Sequence, residues 1–378
     1  MQYFRHLVPL VICLFSLNAA SQAKARKSKP APQSYATSAV AMEYAKELAL
    51  AEHWPVSQVQ QTLGQAMKLP MVQKLIMPAT TPAAKNWQAY QARFIEPKRI
   101  TAGLAFWQAN EKWLAKAEAD YGVAPEVVIG IIGVETFFGR ITGGFRAIDA
   151  LATLSFDFPS GRTDRHEFFK SELTALLRLA YRDGLDPLAI KGSYAGALGL
   201  PQFMPGSWLK YAVDHDGDGH IDLLANSADA IGSVAHYLRE FGWQAGVPSR
   251  FAVQPPNNTA ALATLLAPDI KPTFSAAQMT EQGAQLDTAG LAYDGPLALI
   301  QLHNGQDAGG TNQPSYVAGT SNFYVVTRYN WSSYYALAVL ELGEAIGYQR
   351  AAALRTQVYS GPEANSAASE PNADLPNR

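Results

Sequence analysis

One stretch constrains the fold of this 378-residue chain more than any other. Pro125 to Gly139 reads PEVVIGIIGVETFFG, and its apolar residues point all round the helical wheel. A helix without a polar face must be covered on every side, so the chain has to assemble several elements around it. Composition allows this, with 48% hydrophobic and only 16% charged residues, and it excludes a disordered chain. Glu135 is the single carboxylate between Glu126 and Asp149 and falls in the last turn of this helix. Desolvation raises a carboxyl pKa, and the negative end of the helix dipole pushes the same way. A carboxyl kept protonated near neutral pH suits a general acid at a glycosidic oxygen. The plainer reading is a core glutamate satisfied by a hydrogen bond or an ion pair.

Helical patterns flank this segment. They run over about 37–52, 57–68, 101–121, 167–181, 205–213, 229–241 and 332–346, and Gly122 offers a C-cap to the third. Composition changes near Gly246, after which Phe251–Val253, Leu297–Leu302 and Asn322–Thr327 read as short strands. The expected fold is mainly α with some β: a helical catalytic core, a helical lobe and a small β-containing insertion at about 246–300. Residues 37–350 form the catalytic region.

The two ends read differently. Arg5 and His6 precede the apolar run Leu7–Leu17, and small residues follow as far as Ala23. This is the pattern of a secretory signal peptide over residues 1–23. The run is too short to span a bilayer, which needs about 20 residues. Cys13, the only cysteine, lies within it behind the bulky Val11 and Ile12, a poor context for a lipid anchor. The mature chain is therefore expected to be soluble, periplasmic, and without a disulfide or a cysteine nucleophile. Residues 24–36 form a basic, proline-containing linker, and 361–378 a polar tail expected to be disordered. A net charge of −2 gives no electrostatic footing for nucleic acid.

Three further segments carry chemistry. Between Gly192 and Gly199 three glycines and two alanines let the backbone approach a ligand, and Ser193, Gln202 and Phe203 add a hydroxyl, an amide and a stacking face. A tight connection between packed helices would look the same. Asp214, Asp216, Asp218 and Asp222 stand at positions 1, 3, 5 and 9 of a loop with Gly219 at position 6, matching an EF-hand calcium site. Position 12 is Ala225 rather than Glu, which leaves Asp229 as the nearest residue to complete the shell; the alternative is a solvated acidic turn. Tyr329, Asn330, Tyr334 and Tyr335 cluster at a corner suited to sugar rings, or to Asn330 capping a helix while tyrosines fill a core. Two other signals fail. His166-Glu167 opens like a zinc-binding H-E-x-x-H, but Lys170 takes the second histidine position. Ser193 directly follows Gly192, so no G-x-S-x-G elbow forms.

Taken in order, Ile131-Ile132-Gly133-Val134-Glu135-Thr136, Gly192–Gly199 with Gln202-Phe203-Met204-Pro205, Asp229–Tyr237 and Thr327-Arg328-Tyr329-Asn330 resemble the lytic murein transglycosylase B family. The resemblance covers about 38–348. It implies a lysozyme-like core and a carbon–oxygen lyase that cleaves the β-1,4 bond between N-acetylmuramic acid and N-acetylglucosamine in peptidoglycan. That reaction consumes no water and leaves a 1,6-anhydromuramoyl end. By position Glu135 resembles the sole acid/base and Ser193 the residue that hydrogen-bonds the muramoyl group. Gln202, Phe203, Tyr329 and Asn330 would line the sugar cleft, and Tyr90, Tyr237 and Tyr335 resemble further cleft aromatics. A structural Ca²⁺ would take Asp214, Asp216, Asp218, the His220 carbonyl and Asp229. Two departures from the family pattern are Gly206, where serine is frequent, and one extra residue between Asp222 and Asp229. A lysozyme-like hydrolase and a non-catalytic peptidoglycan-binding scaffold are the competing readings.

Overall fold

The computed structural model describes residues 33–78, 85–307 and 310–359. The signal segment, linker residues 24–32 and the 361–378 tail lie outside them. Residues 33–36 pack onto the body: Ser34 bridges to Met67, and the Tyr35 ring is buried.

The apolar segment forms a helix, Pro125–Thr136, in which every residue from Val127 to Thr136 is buried. Pro97–Tyr121, Ser227–Glu240 and the long helix Ser333–Tyr359 enclose it. Its crossing with Ser333–Tyr359 is set by glycines. A Cβ on Gly130 would lie 2.1 Å from the Val339 carbonyl oxygen, and one on Gly343 would lie 2.0 Å from the Glu126 oxygen. Only hydrogen fits at these points, so the two backbones touch. Gly130 meets Val339 while Glu126 meets Gly343, so the helices run antiparallel, and Glu135 is carried to the level of Tyr335.

A second helical group holds Ala147–Phe156, His166–Asp183 and Pro205–Tyr211, with Ala39–Ala51 and Val56–Gly64 packed on each other nearer the N-terminus. Between the two groups, the two-residue strands Phe145–Arg146 and Lys191–Gly192 pair antiparallel. That pairing lays the glycine-rich segment beside the chain that leaves Glu135.

The β-containing part is a four-stranded antiparallel sheet in the order Gln285–Leu286, Arg250–Gln254, Ser315–Gly319, Ala298–Leu302. It has a small core of its own, including Phe251, Leu265, Met279 and Leu299. A bidentate ion pair from Arg250 to Glu344, 2.7 Å on each arm, ties it to the long helix. The strands expected at Phe251–Val253 and Leu297–Leu302 are present, but Asn322–Thr327 is a helix, Ser321–Tyr329. Its β-branched and aromatic residues favour a strand locally. The Thr320 side chain caps the helix at Asn322, and burial of Phe323, Val326 and Thr327 on one face outweighs that propensity.

Candidate active site

Glu135 sits where four elements meet. The side chain is 7% exposed, and its Oε1 accepts a 2.7 Å hydrogen bond from the Tyr335 hydroxyl. Burial pushes its pKa up to about 7, against the smaller opposite pull of Tyr335. Tyr90, Tyr329 and Tyr335 all feel the Glu135 charge, and desolvation holds each phenol above its ordinary value. The Tyr329 and Tyr335 rings lie nearly parallel with centroids 6.4 Å apart. Glu135 is thus a carboxyl walled by phenols, and among the described residues no second carboxylate perturbs it.

Phe203, Tyr237 and Tyr329 continue that wall. Their centroids are 5.5 Å apart for Phe203–Tyr237, 5.9 Å for Phe203–Tyr329 and 5.0 Å for Tyr237–Tyr329. The Tyr237 hydroxyl donates to the Arg328 carbonyl at 2.8 Å and Tyr329 to the Pro201 carbonyl at 2.5 Å. These two phenols are committed to backbone. Asn330 is buried at the C-terminal end of the Ser321–Tyr329 helix. It does not cap the next helix: Ser332 does, accepting from the Tyr335 N–H.

Ser193 and Gln202 both touch the loop that follows Glu135. A Cβ on Gly143 would fall 2.2 Å from the Gly192 oxygen and 2.6 Å from the Ser193 nitrogen, so this loop presses against the Ser193 backbone. The Ser193 Oγ accepts from the N–H groups of Ala195 and Ala197 at 3.3 and 3.1 Å. What the hydroxyl retains for a ligand is its proton. Gln202 is the converse case. Its Nε2 donates to the carbonyls of Thr142 (3.1 Å) and Gly199 (2.9 Å), which uses both N–H bonds and leaves Oε1 to accept. Thr136, outside the expected site set, closes the arrangement: its hydroxyl donates to the Leu200 carbonyl at 2.9 Å and accepts from the Gly139 N–H at 3.0 Å.

In the acidic loop, carboxylate oxygens of Asp214, Asp216 and Asp229 lie within 4.8 Å of one another. Asp229 is fully buried at the start of its helix, and burial, with Asp216 and Asp214 adding to it, raises its pKa. Asp214 is held low by N–H bonds, the largest from Gly219. Asp218 stands outside the cluster, its Oδ1 accepting from the His220 N–H at 2.8 Å. Asn226, which sequence reading passed over, donates to Asp216 at 2.9 Å. The set is all oxygen, the donor type a hard divalent cation takes.

A sequence model of the family described as "Transglycosylase SLT domain" matches residues 37–344. Membrane-bound lytic murein transglycosylase B of Escherichia coli strain K12 is 41% identical over 307 residues, 78% of each chain. The solved structure of soluble lytic transglycosylase SltB1 from Pseudomonas aeruginosa is 37% identical with a TM-score of 0.74, covering 82% of this chain and 99% of that one. Escherichia coli lytic transglycosylase Slt35, solved in complex with calcium, is 36% identical with a TM-score of 0.72, covering 84% and 95%. The chain belongs to the transglycosylase SLT domain family.

Proposed function

We propose that this chain is a peptidoglycan lytic transglycosylase in which Glu135 is both acid and base. The observation that carries the reading is one buried carboxyl, raised to about 7 and bonded by Tyr335, with no carboxylate partner beside it among the described residues. Tyr335 occupies Oε1, so the acidic proton rides on Oε2. Protonated Glu135 gives that proton to the glycosidic oxygen as the bond to C1 of the muramoyl residue breaks. The substrate's own N-acetyl oxygen meets the positive charge at C1, which makes a second carboxylate unnecessary. The Glu135 carboxylate then takes the proton of the O6 hydroxyl as O6 bonds to C1. The anhydro ring closes, and Glu135 is protonated again.

Ser193 is assigned to donate to an oxygen of the muramoyl group, and Gln202 Oε1 to accept from a substrate N–H or O–H. Phe203, Tyr90, Tyr237, Tyr329, Asn330 and Tyr335 shape the sugar cleft. The signal-like segment directs this activity to the periplasm. Among the described residues no helix is long and apolar enough to cross a membrane.

The pH profile tests the assignment. The competent form is protonated, so kcat/KM on purified sacculi should fall as pH rises through about 7, following the Glu135 pKa. A rate independent of pH between 5 and 9 would remove Glu135 from the role of acid.

Asp214, Asp216 and Asp229 are assigned to a structural Ca²⁺, with Asp218 and the His220 carbonyl joining the shell. Three carboxylates this close repel one another, and a cation bound only to the folded state stabilises it by mass action. At about a hundredfold excess over Kd the gain is about 2.7 kcal/mol, which for a chain of this size raises Tm by roughly 4 °C. Calcium should produce that rise, a chelator should reverse it, and Asp214→Ala with Asp216→Ala should abolish it. An unchanged Tm in the unmodified protein would rule the site out.

A further inference from the structure

Among the described residues, Arg99 is buried without a carboxylate in an ion pair with it. It lies on the Pro97–Tyr121 helix, 8% exposed, and its Nη1 donates to the Gly133 carbonyl at 2.6 Å. Its Nε is buried and has no hydrogen-bond partner among the described residues. Burial lowers its pKa, and the only group raising it is Glu96 at the start of its own helix. A cation so placed is expensive unless something offsets it. Here the offset is the negative end of the Glu135 helix, two residues before Glu135 itself, together with the faces of Phe137 (4.6 Å from the guanidinium carbon) and Phe94 (5.2 Å).

The helix end it holds is strained. Phe137 and Phe138 follow the helix at φ 51° and 59°, left-handed geometry that costs a residue bearing a Cβ about 1–2 kcal/mol. The turn folds the Phe138 ring back on the Gly133 backbone, 2.7 Å from where a Cβ would stand, and against Gly103, one turn beyond Arg99. Arg99 therefore grips the Phe137 side of the turn while Gly103 accepts the Phe138 side. Glu135 lies immediately upstream of this clamp.

We propose that Arg99 is a positioning residue: by neutralising and fixing the end of the Glu135 helix it sets the orientation and the acidity of the catalytic carboxyl. It touches neither Glu135 nor the reacting atoms. The groups facing Glu135 are Tyr335 from the long helix, Tyr329 from Ser321–Tyr329 and Tyr90 from Trp87–Phe94; Tyr237 on Ser227–Glu240 bonds away to Arg328. Arg140 lies across Phe137, 5.1 Å from its ring. All four phenols are held above their ordinary value, so a rate limb near neutral pH belongs to Glu135. Loss of the Arg99 charge leaves the helix dipole unopposed and moves that limb to higher pH by about half a unit.

The proposal rests on the Glu135 reading and is tested beside it. Arg99→Gln keeps a donor for Gly133 but removes the charge, and Arg99→Lys keeps the charge. On sacculi, Arg99→Gln should lower kcat about tenfold or more and shift the alkaline limb upward, whereas Arg99→Lys should keep the limb in place and recover most of kcat. Phe137→Gly relieves the strained φ, and a cooperative melting transition checks that the variant folds. It should still lose kcat with KM unchanged, because the ring that seats Arg99 is gone. A wild-type limb and kcat in Arg99→Gln, or full kcat in Phe137→Gly, overturns the proposal. Glu135→Gln on the same substrate separates the two ideas: if it stays active, the Glu135 reading fails; if it is inactive while the Arg99 variants behave as wild type, only this inference fails.

Discussion

Glu135→Gln should leave a folded protein that releases fragments from sacculi at least about 10³-fold more slowly than the unmodified chain. Loss of one general acid or base costs roughly 10²–10⁴-fold, and here one residue serves both transfers, which places the loss at the upper end. The amide keeps the shape and can still accept from Tyr335, so the defect is chemical. Stability should move the other way. In the folded protein the carboxyl titrates near 7, above its ordinary 4.5, so the unfolded chain releases a proton that the folded one keeps. Stability is then greatest below about pH 4.5 and falls as pH rises through about 7. Gln carries no such penalty, and at pH 8 the variant should be more stable by roughly 3 kcal/mol. Paired rate and melting measurements check both signs; a slow variant that also melts early would point to damage rather than lost chemistry.

Gly130→Val should be the most damaging change outside the site. Its Cβ would stand 2.1 Å from the Val339 carbonyl oxygen, where backbone rather than a flexible side chain has to give way. Overpacking of this kind costs typically 1–3 kcal/mol and occasionally more. A value near 3 kcal/mol corresponds to a Tm drop of roughly 4 °C in a chain of this size. The same contact sets the register that brings Tyr335 to Glu135. Activity per folded molecule should therefore also fall, and the alkaline limb should rise as the Tyr335 bond is lost. A variant with normal Tm and rate would show that the helices are free to separate at this point.

These cases also mark what a sequence can disclose. The Glu135 helix was legible because its signal is local: twelve residues with no polar face and one late carboxylate admit few environments. The acidic loop was legible for the same reason, through spacing alone. Asn322–Thr327 was not, since a run of Phe, Tyr and Val favours a strand until the surrounding helices supply a different partner. The polarity of Ser193 and Gln202 was hidden as well. It depends on which backbone groups of the 139–144 and 195–199 segments they bond, and this exists only after the chain closes. Arg99 gave no signal, because a lone arginine on an amphipathic helix reads as solvent-facing. Its significance appears only when the Gly133 carbonyl and Phe137 are placed against it.

The central claim is that one carboxyl cleaves the glycan without water. Digestion of purified sacculi in heavy-oxygen water, followed by mass spectrometry of the released muropeptides, tests it most directly. The account predicts 1,6-anhydromuramoyl ends that carry no solvent oxygen, absent when Glu135 is Gln. Reducing-end muramic acid labelled with heavy oxygen would contradict it and make the protein a hydrolase.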